Sequence, residues 1–340
     1  MKVGFIGKRG SGKTTLYEAV SGLDMSNYPS SGLVNIAKIK VKDPKIDKLT
    51  EIFKPKKTTY ADFDLVDYNR AHDSSDAPLG SPNLIARYRE LDALVLVLGV
   101  IDDPAFIVSE LEDIRIELNL SDVMILEAKI QRMKKGTYDK KEMALYEGIL
   151  AKLEGDEPID RHSFTKEDMR FLSSYQLFAL KPIMVTVNVT EALLSAPSSL
   201  ITLGKNNIPH ILISAEIEKE LNSLGESEKK DFLKDLNLSE GISDRFVGML
   251  YETLDLISFY TVGEDEVRAW SITRGDSALA AAGKIHSDIE RGFIRASTLR
   301  YEDFMKHGDE KKASAAGLVR SEGKEYIVQP GDIIHFKFNV

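Results

Sequence analysis

The chain contains no cysteine. Disulfides, thiolate metal sites, cysteine nucleophiles and thiol switches are therefore excluded. Nothing in it approaches the roughly 20 consecutive apolar residues of a membrane-spanning helix. The N-terminal run Met1–Gly7 turns polar at Lys8 and shows no secretory pattern, so a soluble, cytoplasmic protein is expected. A basic excess is also missing. Asp and Glu number 54 against 45 Lys and Arg, a net charge of -9, which excludes a uniformly basic nucleic-acid binder but leaves room for a local basic patch. The 6 histidines are scattered, with no metal-ligand spacing and no Ser-His-Asp arrangement. The single Trp270 reads as core of a C-terminal module. What remains is ordinary: 340 residues, 43% hydrophobic and 29% charged, enough for about two or three domains.

Short apolar runs at Val3–Ile6, Phe63–Val66, Ala93–Val100, Ile183–Val189 and His210–Ser214 read as buried strands of a parallel sheet. Helical patterns separate them, including Ser81–Leu91 and one from Asn206 onward, which predicts an α/β architecture. From Ser109 to about Leu180 no strand pattern occurs. Ile114, Leu118, Val123, Leu126, Ile130 and Met133 recur at helical steps, Gly136-Thr137 breaks the pattern, and a second helix follows over Lys140–Leu153. This predicts an inserted helical hairpin. Its bend gathers Lys129, Arg132, Lys134, Lys135, Lys140 and Lys141, either a solvated tip or a contact surface for an anionic partner. Beyond Leu256, Arg268–Ile272, a helix over Ala278–Arg291, and strands at Tyr326–Val328 and Ile333–Phe338 describe a small α+β module.

Gly7-x-x-x-x-Gly12-Lys13-Thr14 lies between the first strand and a helix, the position a phosphate-binding P-loop requires. Backbone amides of Gly10, Ser11, Gly12, Lys13, Thr14 and Thr15 are expected to face phosphate oxygens at a helix N-terminus. Lys13 is expected on the β- and γ-phosphates and the Thr14 hydroxyl on Mg²⁺. A second acidic group near the metal is expected from Asp67 at the end of Phe63-Asp64-Leu65-Val66-Asp67, with Asp64 as the alternative. Base recognition falls to Asn188-Val189-Thr190-Glu191, where Val189 and Glu191 replace the Lys and Asp of a guanine-reading Asn-Lys-x-Asp, and to Ser214-Ala215-Glu216. No general base is identifiable.

Together these residues resemble the YchF/Obg-like ATPase family of P-loop proteins. The resemblance spans essentially the whole chain. Its most specific stretches are Glu266-Val267-Arg268-Ala269-Trp270, Ala282–Asp288, Gly292–Ala296, Tyr326–Val328 and Gly331–Val340, which look like that family's terminal ubiquitin-like TGS domain. Asn188-x-x-Glu191, Ser214–Glu218, Asp43-Pro44 and Arg89–Ala93 follow in the same order. The resemblance implies slow, Mg²⁺-dependent hydrolysis of ATP in preference to GTP, and ribosome association through the hairpin and the TGS domain. It implies an organisation of P-loop domain (1–122 and 181–255), hairpin (123–180) and β-grasp TGS-like domain (256–340). The chain resembles a divergent member. The family's Asp-x-x-Gly switch reads Asp67-Tyr68-Asn69-Arg70, and Arg70 would either obstruct the γ-phosphate or act as an internal arginine finger. The segment Ala71–Asn83 is short, Tyr28–Ser31 lacks a metal-ligating Thr, and the P-loop reads Arg9-Gly10-Ser11-Gly12. A GTPase of relaxed base specificity, a non-hydrolysing nucleotide-regulated ribosome- or RNA-binding adaptor, and a small-molecule P-loop kinase remain alternatives.

Overall fold

A computed structural model of the chain describes residues 1–23, 34–69, 73, 75, 77, 79–99, 104–194, 210–235 and 241–339. Arg70, Tyr28–Ser31 and the helix expected from Asn206 lie outside the described residues, as does part of Ala71–Asn83.

Twelve strands form two sheets among the described residues. They are β1 (Lys2–Ile6), β2 (Val34–Lys40), β3 (Lys57–Thr59), β4 (Asp62–Tyr68), β5 (Ala93–Leu98), β6 (Ile183–Asn188), β7 (His210–Ile213), β8 (Leu256–Thr261), β9 (Glu266–Thr273), β10 (Phe293–Arg300), β11 (Arg320–Glu322) and β12 (Asp332–Phe338). The chain divides into two compact units, Met1–Ala37 with Asp64–Ser243, and Lys38–Phe63 with Asp244–Val340.

The first sheet runs β2-β4-β1-β5-β6-β7. The pairs β4/β1, β1/β5, β5/β6 and β6/β7 are all parallel. Every residue of Ala93–Leu98 is buried, because a central parallel strand is covered on both faces. Leu94, Leu96, Leu98, Val185 and Val187 pack with Ile107, Leu111, Ile114 and Leu118 of the long helix Pro104–Lys134. That helix begins earlier than the periodicity predicts, since Ile107 and Leu111 extend its buried stripe upstream. It turns back into the helix Lys140–Glu154, whose N-cap Asp139 accepts from the amides of Lys141 (2.7 Å) and Glu142 (3.3 Å). Leu126, Ile130, Met133, Met143, Tyr146, Ile149 and Leu153 form the hairpin's own core.

The second sheet runs β11-β10-β12-β8-β9-β3, with β12/β8 and β3/β9 parallel and the pairs β10/β11, β10/β12 and β8/β9 antiparallel. It packs Ile257, Phe259, Ile272, Phe293, Ala296 and Ile334 against Ala278, Ala281 and Ala282 of the helix Ala278–Ile285. The small alanine side chains let helix and sheet approach closely. Two expectations are corrected here. Tyr326–Val328 is no strand; only an isolated bridge joins Ile327 to Ser277. The helix over Ala278–Arg291 is two helices, broken at His286, which caps the second through Asp288 N–H. The helix Pro44–Phe53, which buries Ile46 and Leu49, and the strand β3 belong to the second unit. Asp43 caps that helix at Lys45 N–H (2.9 Å) and accepts a hydrogen bond from the Tyr260 hydroxyl (2.5 Å).

Candidate functional site

The expected site residues gather at the C-terminal edge of the parallel sheet, where open α/β sheets generally bind ligands. β1 runs into the loop Gly7–Gly12, and the helix Lys13–Ser21 begins directly after it. Its N-cap, Gly12, has φ +87, and a Cβ there would collide with the Asn188 amide, so the turn admits only glycine. The first helical bond runs from Leu16 N–H to the Gly12 carbonyl (2.8 Å). The amide hydrogens of Gly10, Gly12 and Thr14 have no acceptor among the described residues. Loop and helix start thus present a set of amide donors at the positive end of a helix dipole.

Lys13 is only 8% exposed. Its ammonium donates to the carbonyls of Gly7 (2.8 Å) and Lys8 (2.6 Å), curled over the loop. The Thr14 hydroxyl donates to Asp67 Oδ2 (3.3 Å). Asp67 stands near the end of β4 and is 2% exposed. Burial raises its pKa above the ordinary carboxylate value, opposed by the Lys13 charge and by hydrogen bonds from Thr14 and Asn35. A cavity of about 470 Å³ opens over this group, lined by Arg9, Gly10, Lys13, Thr14, Tyr68 and Asn69, with Gly12 and Thr15.

The second group of expected residues lies at the ends of β6 and β7. Asn188 is buried, with both ends of its amide engaged: Nδ2 donates to the Ser11 carbonyl (3.3 Å) and Oδ1 accepts from Ala215 N–H (3.1 Å). Ser214 caps the helix Ala215–Ser223 by accepting from Ile217 N–H (3.4 Å). Val189 is buried, while Glu191 and Glu216 are exposed. Asn188 therefore ties the P-loop to the segment after β7.

Two residues went unread in the sequence. Glu110, on the otherwise apolar face formed by Ile107, Leu111 and Ile114, is buried and accepts from Gly99 N–H (3.4 Å). Burial raises its pKa, against the Gly99 bond and the charges of Lys8 and Lys13. Asp113, one turn further on, holds the Lys8 ammonium at 2.9 Å. A carboxylate on the buried stripe was the available signal for Glu110.

No group of three His, Cys, Asp or Glu side chains suited to a metal occurs among the described residues. The donors present fit Mg²⁺ held together with phosphate, because that ion takes one or two protein oxygens and completes its shell with phosphate and water. The unbonded amides and Lys13 fit the phosphates.

A parallel sheet with this loop, Lys13, Thr14 and Asp67 at its carboxyl edge has the fold of a P-loop NTPase, and the chain carries a second, α+β unit. A family profile, YchF-GTPase_C, described as a protein of unknown function (DUF933), matches residues 256–339. The chain is 35% identical over 364 residues to the protein of Bacillus subtilis named "Ribosome-binding ATPase YchF", covering 100% of both chains. It is likewise 35% identical to the protein of that name from Haemophilus influenzae, covering 99% of it. The solved "Structure of the Schizosaccharomyces pombe YchF GTPase" superposes with a TM-score of 0.82 at 27% identity, over 99% of this chain and 97% of that one. The chain belongs to the YchF family.

One consequence of the site is open to a stability measurement. A carboxyl whose folded pKa lies above its unfolded value contributes stability at low pH that is lost as pH rises through the folded value. In nucleotide-free, metal-free protein, Asp67→Asn is therefore expected to raise the unfolding midpoint at pH 7. The gain should shrink as pH falls, because burial makes wild-type Asp67 take up its proton at a higher pH than an ordinary carboxylate. Thermal unfolding across a pH series checks it; a gain that grows on acidification contradicts the assignment.

Proposed function

We propose that the protein binds a magnesium nucleoside triphosphate at the P-loop, hydrolyses it slowly to diphosphate and phosphate, and works in the cytoplasm as a ribosome-associated switch. The observation that carries this reading is the set of amides at Gly10, Gly12 and Thr14, unbonded among the described residues, beside Lys13 and the Thr14–Asp67 pair. In this reading the amides of Gly10 to Thr15 and the Lys13 ammonium hold phosphate oxygens. Thr14 ligates the metal directly and Asp67 accepts from a metal-bound water. When bound, Mg²⁺ neutralises charge on the phosphates. Asn188 holds the loop in register, while Val189, Glu191, Ser214, Ala215 and Glu216 border the base. The departure from Asn-Lys-x-Asp at Val189 and Glu191 favours ATP over GTP. Among the described residues, the cavity lining contains neither carboxylate nor imidazole, which favours slow turnover without a partner.

Calorimetric titration with Mg-ATP and Mg-GTP tests the binding step, and multiple-turnover hydrolysis with and without ribosomes tests the rest. Absence of binding to either nucleotide refutes the reading. Binding without turnover in both conditions replaces it with the adaptor alternative.

Ribosome association is supported by the names of the relatives and by the hairpin bend. Lys129 pairs with Glu142 (3.0 Å), Lys134 with Glu147 (3.3 Å) and Lys141 with Glu167 (3.5 Å). Arg132, Lys135 and Lys140 are exposed, with no ion pair among the described residues. Of the six bend residues, these three would present uncompensated charge to an RNA backbone. The triple variant Arg132→Glu, Lys135→Glu, Lys140→Glu should reduce cosedimentation with ribosomes by about tenfold or more, because phosphate contacts dominate such affinity, and should flatten its salt dependence. The same substitutions at Lys129, Lys134 and Lys141 should do less. Unchanged pelleting of the first triple removes the tip from the interface.

A further inference from the structure

The P-loop carries three cations, and the structure gives each a different place. Lys13 is buried, curled onto the Gly7 and Lys8 carbonyls. Lys8 is drawn off by Asp113 (2.9 Å) and does not line the cavity. Arg9 is exposed on the loop's outer rim, and it lines the cavity together with Gly10, Lys13 and Thr14. We propose that Arg9 is a second phosphate-binding cation of this site, one that contacts the terminal phosphate and so separates nucleoside triphosphates from diphosphates. This rests on the reading of the cavity as a nucleotide site.

Three observations carry the assignment. First, Arg9 and its neighbour Gly10 both line the cavity, and a Cβ built on Gly10 would meet nothing within 4 Å among the described residues, so the loop beside Arg9 is unobstructed there. Second, the guanidinium donates to the backbone carbonyl of Asp73. The carboxylate of that residue is turned onto its own segment, accepting from Ser75 N–H (3.1 Å) and Ser81 N–H (2.9 Å). A charged phosphate oxygen outcompetes a neutral carbonyl as acceptor, since charge-assisted hydrogen bonds are roughly twice as strong. Third, the fork of a guanidinium matches a phosphate's two oxygens, whereas an ammonium acts as a point charge. Arg9 and Lys13 thus divide the work. Lys13 lies deep at the helix start, where phosphates of both nucleotides sit. Arg9 is exposed and lines the cavity, where it would reach the phosphate that only the triphosphate has.

The test is calorimetric titration of wild type, Arg9→Ala, Arg9→Lys and Lys13→Ala with Mg-ADP and with the magnesium complex of an imido-bridged, non-hydrolysable ATP analogue. Arg9→Ala should weaken the triphosphate analogue by roughly 10- to 100-fold, the range for losing one or two hydrogen bonds to a charged group, and leave ADP within about twofold. Arg9→Lys should recover part of the triphosphate affinity. Lys13→Ala should weaken both nucleotides. Equal effects of Arg9→Ala on the two nucleotides, or tighter triphosphate binding, overturn the proposal while leaving the nucleotide site intact. Wild-type protein that binds neither nucleotide overturns both. Arg9 is exposed, so circular dichroism of the unliganded variant should match wild type.

Discussion

Lys13→Ala is expected to lower magnesium-nucleotide affinity by about two to four orders of magnitude. Each hydrogen bond from a charged donor contributes about 1.5–3 kcal/mol, and this ammonium would serve two phosphate groups at once. Without nucleotide, Lys13 spends its donors on the Gly7 and Lys8 carbonyls. Its charge also opposes the rise in pKa at Asp67 and Glu110. Losing it leaves two buried carboxyls with less compensation, so the empty variant should favour their protonated forms further. Lys13→Met retains most of the apolar stem and separates lost charge from lost packing. Both variants should bind ATP and GTP equally poorly. Affinity within threefold of wild type for either would remove Lys13 from the phosphate site.

Arg89→Ala is expected to destabilise the first unit by about 3–5 kcal/mol, the cost of stripping the partner from a buried charge. Asp122 is 0% exposed. Arg89 donates to it (2.6 Å), to the Ser121 hydroxyl (2.7 Å) and to the Gln176 carbonyl (3.3 Å), and its guanidinium lies over the Phe178 ring at 4.1 Å. Asp122 also accepts from Ala179 N–H (2.9 Å). Burial already raises the Asp122 pKa against these bonds and the Arg89 charge. Without Arg89 that rise is larger, and a raised folded pKa means stability lost as pH increases. The deficit should therefore narrow as pH falls. Arg89→Met combined with Asp122→Leu should restore much of the loss, because apolar replacement of both partners leaves no stranded charge. Urea unfolding measures all three. A single-variant loss below 1 kcal/mol, or one independent of pH, would show that Asp122 is compensated elsewhere.

This network also marks where sequence reading stopped. Arg89–Ala93 was read as the end of a helix, the start of a buried strand and a stretch of family resemblance. Its physical content is Arg89 reaching Asp122, and Asp92 accepting from Lys2 N–H (2.7 Å). Each partner lies tens of residues away, and no local period connects them. Asn188 is similar. Its position after a buried strand pointed to the site, but only the structure places its amide between Ser11 and Ala215. Arg9 was readable as a departure within the P-loop, while its place on the cavity rim depends on where the backbone turns at Gly10.

The sequence by itself determined what is local. The P-loop was legible because its glycines, Lys13 and Thr14 act within a single strand–turn–helix. The parallel strands were legible because burial on both faces demands unbroken apolar runs, as in Ala93–Leu98. The hairpin followed from helical periodicity, although Ile107 and Leu111 had to be seen packed before its true start was clear. Tertiary structure alone decided the rest. β2 alternates buried Ala37 and Ile39 with exposed lysines, a weak edge pattern. β3, Lys57-Thr58-Thr59, has no apolar residue and exists because β9 supplies partners from Glu266 to Arg268. At the hairpin bend, six basic residues became three once Glu142, Glu147 and Glu167 were placed beside the others. The physical reason is common to all of these. Pairing, neutralisation and burial depend on residues far away in the chain, and only folding brings them within range.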